Sequence, residues 1–233
     1  MARKIVRHNW AVDGVELSER AEGGRRLGAL LWRAGPGWRM ISTGILGGGV
    51  GERSWVLNAQ VPGGYARMDP VAHLTEIAAS LDVSGPGVGL LTAADVRARR
   101  HAADEGVWTV ATVGVGTPAW AAFPDAVSPG ASPQRPGTIN ILIAVPVALE
   151  DAALVNLVAT VTEAKVQALL DAGHAATGTP TDAVCVAART AGRPEPFGGP
   201  RSMWGARAAR AVHAAVLSGA RADRERRESV LLE

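Results

Sequence analysis

The sequence predicts a layered α/β chain of the α+β type, with mixed β-sheets flanked by helices; its fullest form would be an αββα four-layer sandwich. Three observations carry that reading. Short apolar and β-branched runs alternate irregularly with helical patterns, unlike a plain repeat of βαβ units. One run, Ile139-Asn140-Ile141-Leu142-Ile143-Ala144-Val145, is continuous in the way of a buried strand. Finally, 28 glycines and 14 prolines in 233 residues mark many tight turns between the runs.

Taken in order, residues 1–20 hold short alternating runs that read as an edge hairpin turning at Asp13-Gly14. Residues 27–33 form an apolar run, and 38–43 a strand leading into a loop, 44–51, with five glycines. A strand over 54–60 stops at Pro62-Gly63-Gly64. Asp69-Pro70 opens a helix to about residue 81, Asp as cap and Pro in the first turn. A short strand follows at 88–91, then a helix over 92–103 capped by Thr92, then a β-branched strand at 107–115. Residues 128–137 are the strongest break in the chain. Beyond it lie a strand at 138–147, a long helix at 150–172 closed by Gly173, a strand at 182–188 and a last helix at 202–218 ended by Gly219.

Length and composition predict one domain over 1–233, with a hairpin region at 1–36 and an alternating-charge, disordered tail at 221–233. The single Cys185 excludes a disulfide framework and a Cys-rich zinc site. Net charge is +2, from 24 basic against 22 acidic residues, and no basic run is interleaved with aromatics, so no nucleic-acid partner is expected. No stretch reaches the length of a membrane span and the N-terminus lacks a signal-peptide core, so the expected place is the cytoplasm, without a membrane partner. A homo-oligomer is left open. No Walker lysine, dinucleotide glycine pattern, Gly-x-Ser-x-Gly elbow or His-Glu-x-x-His helix occurs. The five histidines, at 8, 73, 101, 174 and 213, are scattered, and no metal site is expected.

Three segments carry polar residues in apolar surroundings. Thr138 and Asn140, two apart, share one face of a buried strand. Asn156, Thr160, Glu163 and Gln167 form one stripe along the long helix, either a functional face or merely its solvent side. Thr177-Gly178-Thr179-Pro180-Thr181-Asp182 puts three hydroxyls and a carboxylate just before a strand, unless it is only a turn capped by Asp182. Lys165 lies off the stripe and reads as a surface charge, and His73 with Glu76 as a surface pair. The seven Trp read mostly as core.

At these residues the chain resembles the adenosylcobinamide amidohydrolase family of corrinoid salvage. The likeness runs from about 41 to 219. It is carried by Gly137-Thr138-Ile139-Asn140, Thr162-Glu163-Ala164-Lys165 and Ala176-Thr177-Gly178-Thr179-Pro180-Thr181-Asp182, in that order. Ser42, Gly47, Gly48, Gly49 and Asn58 lie in further family-like segments, while Gly114-Val115-Gly116-Thr117 departs from an expected Gly-Val-Ser-Asn-like turn. The resemblance implies hydrolysis of the amide that joins an aminopropanol arm to the corrin ring, giving adenosylcobyric acid. It implies a small corrinoid substrate that brings its own cobalt, and no cofactor.

Amide hydrolysis needs a nucleophile, a proton acceptor and donors for the oxyanion. The candidate catalytic residues are Thr138, Glu163, Thr179 and Asp182. Thr138 opens a buried strand after a Pro-Gly break and is the first candidate nucleophile. Glu163 or Asp182 acting on water is the rival. The candidate substrate-binding residues are Ser42, Gly47, Gly48, Gly49, Asn58, Asn140, Thr177 and Thr181, with Trp38, Trp55 and Trp120 as flat surfaces for a corrin. The run 138–182 also resembles the catalytic half of the β-aminopeptidase and ornithine acetyltransferase superfamily, which would imply self-cleavage before Thr138. Two other functions stay in view: a corrinoid-binding protein without hydrolysis, and an amidase or acyltransferase with a Thr nucleophile acting on another small amide.

Overall fold

The structure, a computed structural model, describes residues 6–8, 14–122 and 137–231. The first sheet has the order β1-β2-β3-β6-β7. β1 (Val6–His8) pairs antiparallel with β2 (Val15–Glu22) at its edge, as an N-terminal hairpin requires; the turn at Asp13 lies outside the described residues. β2 turns into β3 (Arg25–Trp32) through Gly23-Gly24, both at positive φ, which suits a two-residue hairpin turn. β6 (Trp55–Gln60) and β7 (Gly87–Thr92) are parallel, joined by α1 (Pro70–Ser80). Asp69 stands at the N-cap of α1 and Pro70 in its first turn, as predicted, but the Asp69 side chain caps nothing and binds Arg67 instead.

The second sheet has the order β5-β4-β11-β10-β9-β8. β4 (Trp38–Ser42) turns back into β5 (Gly49–Glu52), so the glycine-rich 44–51 segment is partly strand rather than all loop. β8 (Arg100–Asp104) and β9 (Val107–Val113) form a hairpin through Glu105-Gly106, both at positive φ. β10 (Ile139–Val145) lies at the sheet centre, parallel to β11 (Ala183–Arg189), and α2 (Asp151–Asp171) crosses between them. Gly173, at φ +82°, closes α2: its N–H bonds to the Leu170 carbonyl, and that of His174 to Leu169.

Burial sorts these elements into four layers. α1 puts Leu74, Ile77 and Ala78 on Ala29, Leu31 and Leu57 of the first sheet. Between the sheets, Val15, Leu30 and Trp32 meet Met40, Leu142, Ala144, Cys185 and Ala187. On the far side, α2 and α3 (Met203–Leu231) cover Ile139, Ile141, Ile143, Val184 and Val186. Every residue of β10 is buried because both its faces are covered, which is why its sequence is apolar throughout.

Two predicted elements differ. Residues 92–103 form only a 3-10 turn, Val96–Ala98, followed by β8. Asp95 accepts a hydrogen bond from the Arg97 N–H, but the hairpin with β9 takes the backbone that a helix would need. The last helix does not end at Gly219 but runs to Leu231, where a disordered tail was expected from 221. Gly219 instead lets α3 approach β9; a Cβ there would lie 2.6 Å from Val113 Cγ2. Among the described helices, α2 alone is long and apolar enough to cross a membrane, and half of that stretch is buried in this fold.

Candidate active site

A cleft of about 640 Å³ opens at one end of the sandwich, within the usual range for small-molecule sites. The first sheet contributes Leu91 and Thr92 from the end of β7, and Val61, Pro62 and Tyr65 from the loop after β6. The second contributes Thr43, Gly44 and Ile45 after β4, Thr138 before β10, and Thr181 and Asp182 before β11. Thr117, in the turn that departs from the family-like pattern, lines it too.

The parallel pairing of β10 with β11 brings the first and last of the three polar segments together. The Thr138 and Thr181 hydroxyls are 2.6 Å apart, and Thr181 Oγ1 also lies 3.2 Å from the Gly137 carbonyl as its donor. Asp182 is saturated. Its Oδ1 accepts from the Ile139 N–H at 2.9 Å and from the Thr179 hydroxyl; its Oδ2 accepts from Lys165 Nζ at 2.6 Å and the Thr179 N–H at 3.0 Å. Lys165 is only 7% exposed, so it is a buried counter-charge and not the surface charge the sequence suggested. Lys165 lies four residues after Val161 and three or four before Ala168 and Leu169, all buried on the inner face of α2. Gly178 makes room for the pair, since a Cβ there would sit 2.4 Å from Asp182 Oδ2 and 2.6 Å from Lys165 Nζ.

Glu163 does not join this cluster. It is exposed on α2 and lies outside the cleft, because the predicted stripe is mostly the solvent side; only Thr160 turns inward, donating to the Gly198 carbonyl. Asn140 faces the inter-sheet space. Its amide donates to Asn58 Oδ1 and to the Leu91 carbonyl, both at 2.9 Å, and the Asn58 amide donates to Thr112 Oγ1 at 2.9 Å. Asn58 and Asn140 therefore stitch the two sheets together behind the cleft, and the buried Asn140 Oδ1 keeps no protein partner.

The remaining candidates hold loops in place rather than line the cleft. Ser42 donates to the Val184 carbonyl and accepts from the Gly44 N–H. Gly47 and Gly48 are packed against backbone, where a Cβ would meet Gly87 O at 1.9 Å and Gly44 O at 2.4 Å; Gly49 needs its positive φ to begin β5. Thr177 accepts from the Ala121 N–H and donates to the Ala119 carbonyl. Trp38 and Trp55 are core residues, while Trp120 is 43% exposed.

Sequence reasoning missed a second cluster on the first-sheet side. His73 is 3% exposed, so it is no surface residue; its Nδ1 is 3.0 Å from the Tyr65 hydroxyl and its Nε2 3.2 Å from Glu22 Oε1. Glu76, expected beside it, binds Arg67. Burial raises the Tyr65 phenol above its ordinary range, and the Arg67 charge pulls the other way. The available signal was the chain's single tyrosine, directly after Pro62-Gly63-Gly64.

An open cleft lined by hydroxyls and a fixed carboxylate, at the mouth of two packed sheets, is the architecture of a small-molecule enzyme. A family model described as adenosylcobinamide amidohydrolase matches residues 14–228. Two relatives carry the same name: one from Halobacterium salinarum, 35% identical over 201 residues that cover 84% of each chain, and one from Methanosarcina mazei, 32% identical over 150 residues that cover 64% of this chain and 69% of its own. The chain belongs to the adenosylcobinamide amidohydrolase family.

Proposed function

We propose that this chain hydrolyses the amide between the corrin ring and the aminopropanol arm of adenosylcobinamide, releasing adenosylcobyric acid for cobalamin salvage. The observation that carries the reading to particular residues is the Thr138–Thr181 hydroxyl pair on the cleft wall, backed by Asp182 and Lys165. Thr138 is the nucleophile: its Oγ1 bonds to the carbonyl carbon, the C–N bond breaks, and water then frees the carboxylate. Thr181 orients that hydroxyl. Asp182 receives four hydrogen bonds, two of them from Thr179, so both shape the strand mouths rather than exchange protons. Glu163 has no part. The arm enters the cleft, and the flat ring rests outside on exposed apolar side chains such as Ile45 and Trp120. The reaction as read needs no cofactor of the protein's own and belongs in the cytoplasm.

The test is release of aminopropanol from adenosylcobinamide by the purified chain. Thr138→Ala is expected to fold and to bind the corrinoid while losing cleavage, by roughly 10² or more in kcat. Wild-type binding without release would favour a corrinoid-binding protein. Release from amides that lack a corrin would favour the broader amidase or acyltransferase. Full activity of Thr138→Ala would remove the site assignment, and an uncut intact mass would remove self-cleavage before Thr138.

A further inference from the structure

The reaction read above still needs a proton acceptor for Thr138. Asp182 has its oxygens filled by four donors, and Lys165 is tied to it. Tyr65 lines the same cleft from the first-sheet side. Its hydroxyl meets His73 Nδ1 at 3.0 Å, and His73 Nε2 meets Glu22 Oε1 at 3.2 Å. Glu22 is anchored in turn: its Oε2 accepts from Arg20 Nε at 2.9 Å. Beside a carboxylate, Nε2 carries the imidazole proton and Nδ1 is left as an acceptor. The phenol therefore donates to His73, and its own oxygen lone pairs are left for a donor in the cleft.

We propose that Tyr65, His73 and Glu22 form a proton relay that serves the hydrolytic cleft, with Tyr65 as the catalytic group and His73 and Glu22 as positioning residues behind it. The proposal rests on the amide-hydrolysis reading. As the Thr138 oxygen bonds to the carbonyl carbon, its proton passes to Tyr65 Oη, directly or through one water, while the phenol proton moves to His73 Nδ1. Glu22 stabilises the imidazolium. When the C–N bond breaks, the proton returns through Tyr65 to the leaving nitrogen. The same exchange activates the water that opens the ester, so the products are a carboxylate and the amine. The charges facing the pair are Glu22 and Arg20 from β2, Arg67 and Asp69 from the loop, and Glu76 from α1. Arg67 binds both Asp69 and Glu76, so Glu22 is the carboxylate in direct contact with the imidazole.

The experiment compares wild type with Tyr65→Phe and His73→Gln in aminopropanol release from adenosylcobinamide, with corrinoid affinity and thermal midpoint measured alongside. The expected result for Tyr65→Phe is a loss in kcat of roughly 10²–10⁴-fold with KM, affinity and midpoint kept. His73→Gln should lower kcat as well, with KM and affinity kept, because the phenol proton then has no imidazole to receive it. A merely structural pair would lower midpoint and affinity without separating kcat from KM. Full kcat in Tyr65→Phe overturns the relay and leaves amide hydrolysis standing; no release by the wild type overturns both. Should Tyr65→Phe fail to fold, full kcat in His73→Gln overturns the relay on its own.

Discussion

Asp182 is held by a lysine, a hydroxyl and two backbone N–H groups that come from three different elements. A carboxylate bound this way is a joint, and its value lies in fixing where Thr138 and Thr181 stand. Lys165→Met would leave Asp182 buried with its charge uncompensated. We expect a loss of about 3–5 kcal/mol in unfolding free energy by urea titration. Gly178→Ala should act on the same joint, because the new methyl would displace the Lys165–Asp182 contact. Thr138, Thr179, Thr181 and Asp182 were legible in the sequence because hydroxyls crowded before apolar strands need partners. Glu163 and Lys165 were not. On a helix packed over a sheet, a shift of two positions separates the solvent side from the core, and only the packing shows which side is which.

At the scale of elements, β10 and β11 behave as their composition predicts, since strands covered on both faces must be apolar throughout. Alternation along them divides the work. Ile139, Ile141 and Ile143 meet the helices, while Leu142, Ala144 and Cys185 meet the other sheet. Cys185 sits in that inter-sheet layer, where burial pushes its thiol up to about 12. A thiol-selective reagent at neutral pH should leave the native chain unmodified and label it fully once denatured; rapid native labelling would mean that the sheets part readily. β8 was misread as helix because the Thr92 and Asp95 caps are local, whereas the competing hairpin depends on β9 being in place. Gly219 was misread as a helix end for the same reason. A glycine that admits a neighbouring strand looks, in sequence, like one that stops a helix.

For the whole molecule, each sheet contains one βαβ crossover, β6-α1-β7 in the first and β10-α2-β11 in the second. The cleft lies where the carboxyl ends of the first pair meet the amino ends of the second, so neither sheet builds it alone. Surface charge pairs also span the fold. Glu19 on β2 is bound by Arg97 and Arg26, which hold its carboxyl below the ordinary 4.5, and Arg210 on α3 lowers Asp104 on β8. Carboxyls lowered in the folded state take up protons more readily when unfolded, so their stabilisation is present above about pH 4.5 and is lost as pH falls through the lowered values. The urea midpoint should be level near neutrality and decline below that pH; a midpoint that rose on acidification would contradict these pairings. By itself the sequence determined the layered class, the central apolar strands, the hydroxyl-rich turns and the family resemblance, because periodicity, turn chemistry and local motifs are properties of neighbouring residues. The tertiary structure alone decided that Lys165 faces inward, that Asn58 and Asn140 bind each other, and that Tyr65, His73 and Glu22 meet. Those contacts join residues on different elements, from 8 to 82 positions apart, and their partners are fixed only when the elements pack.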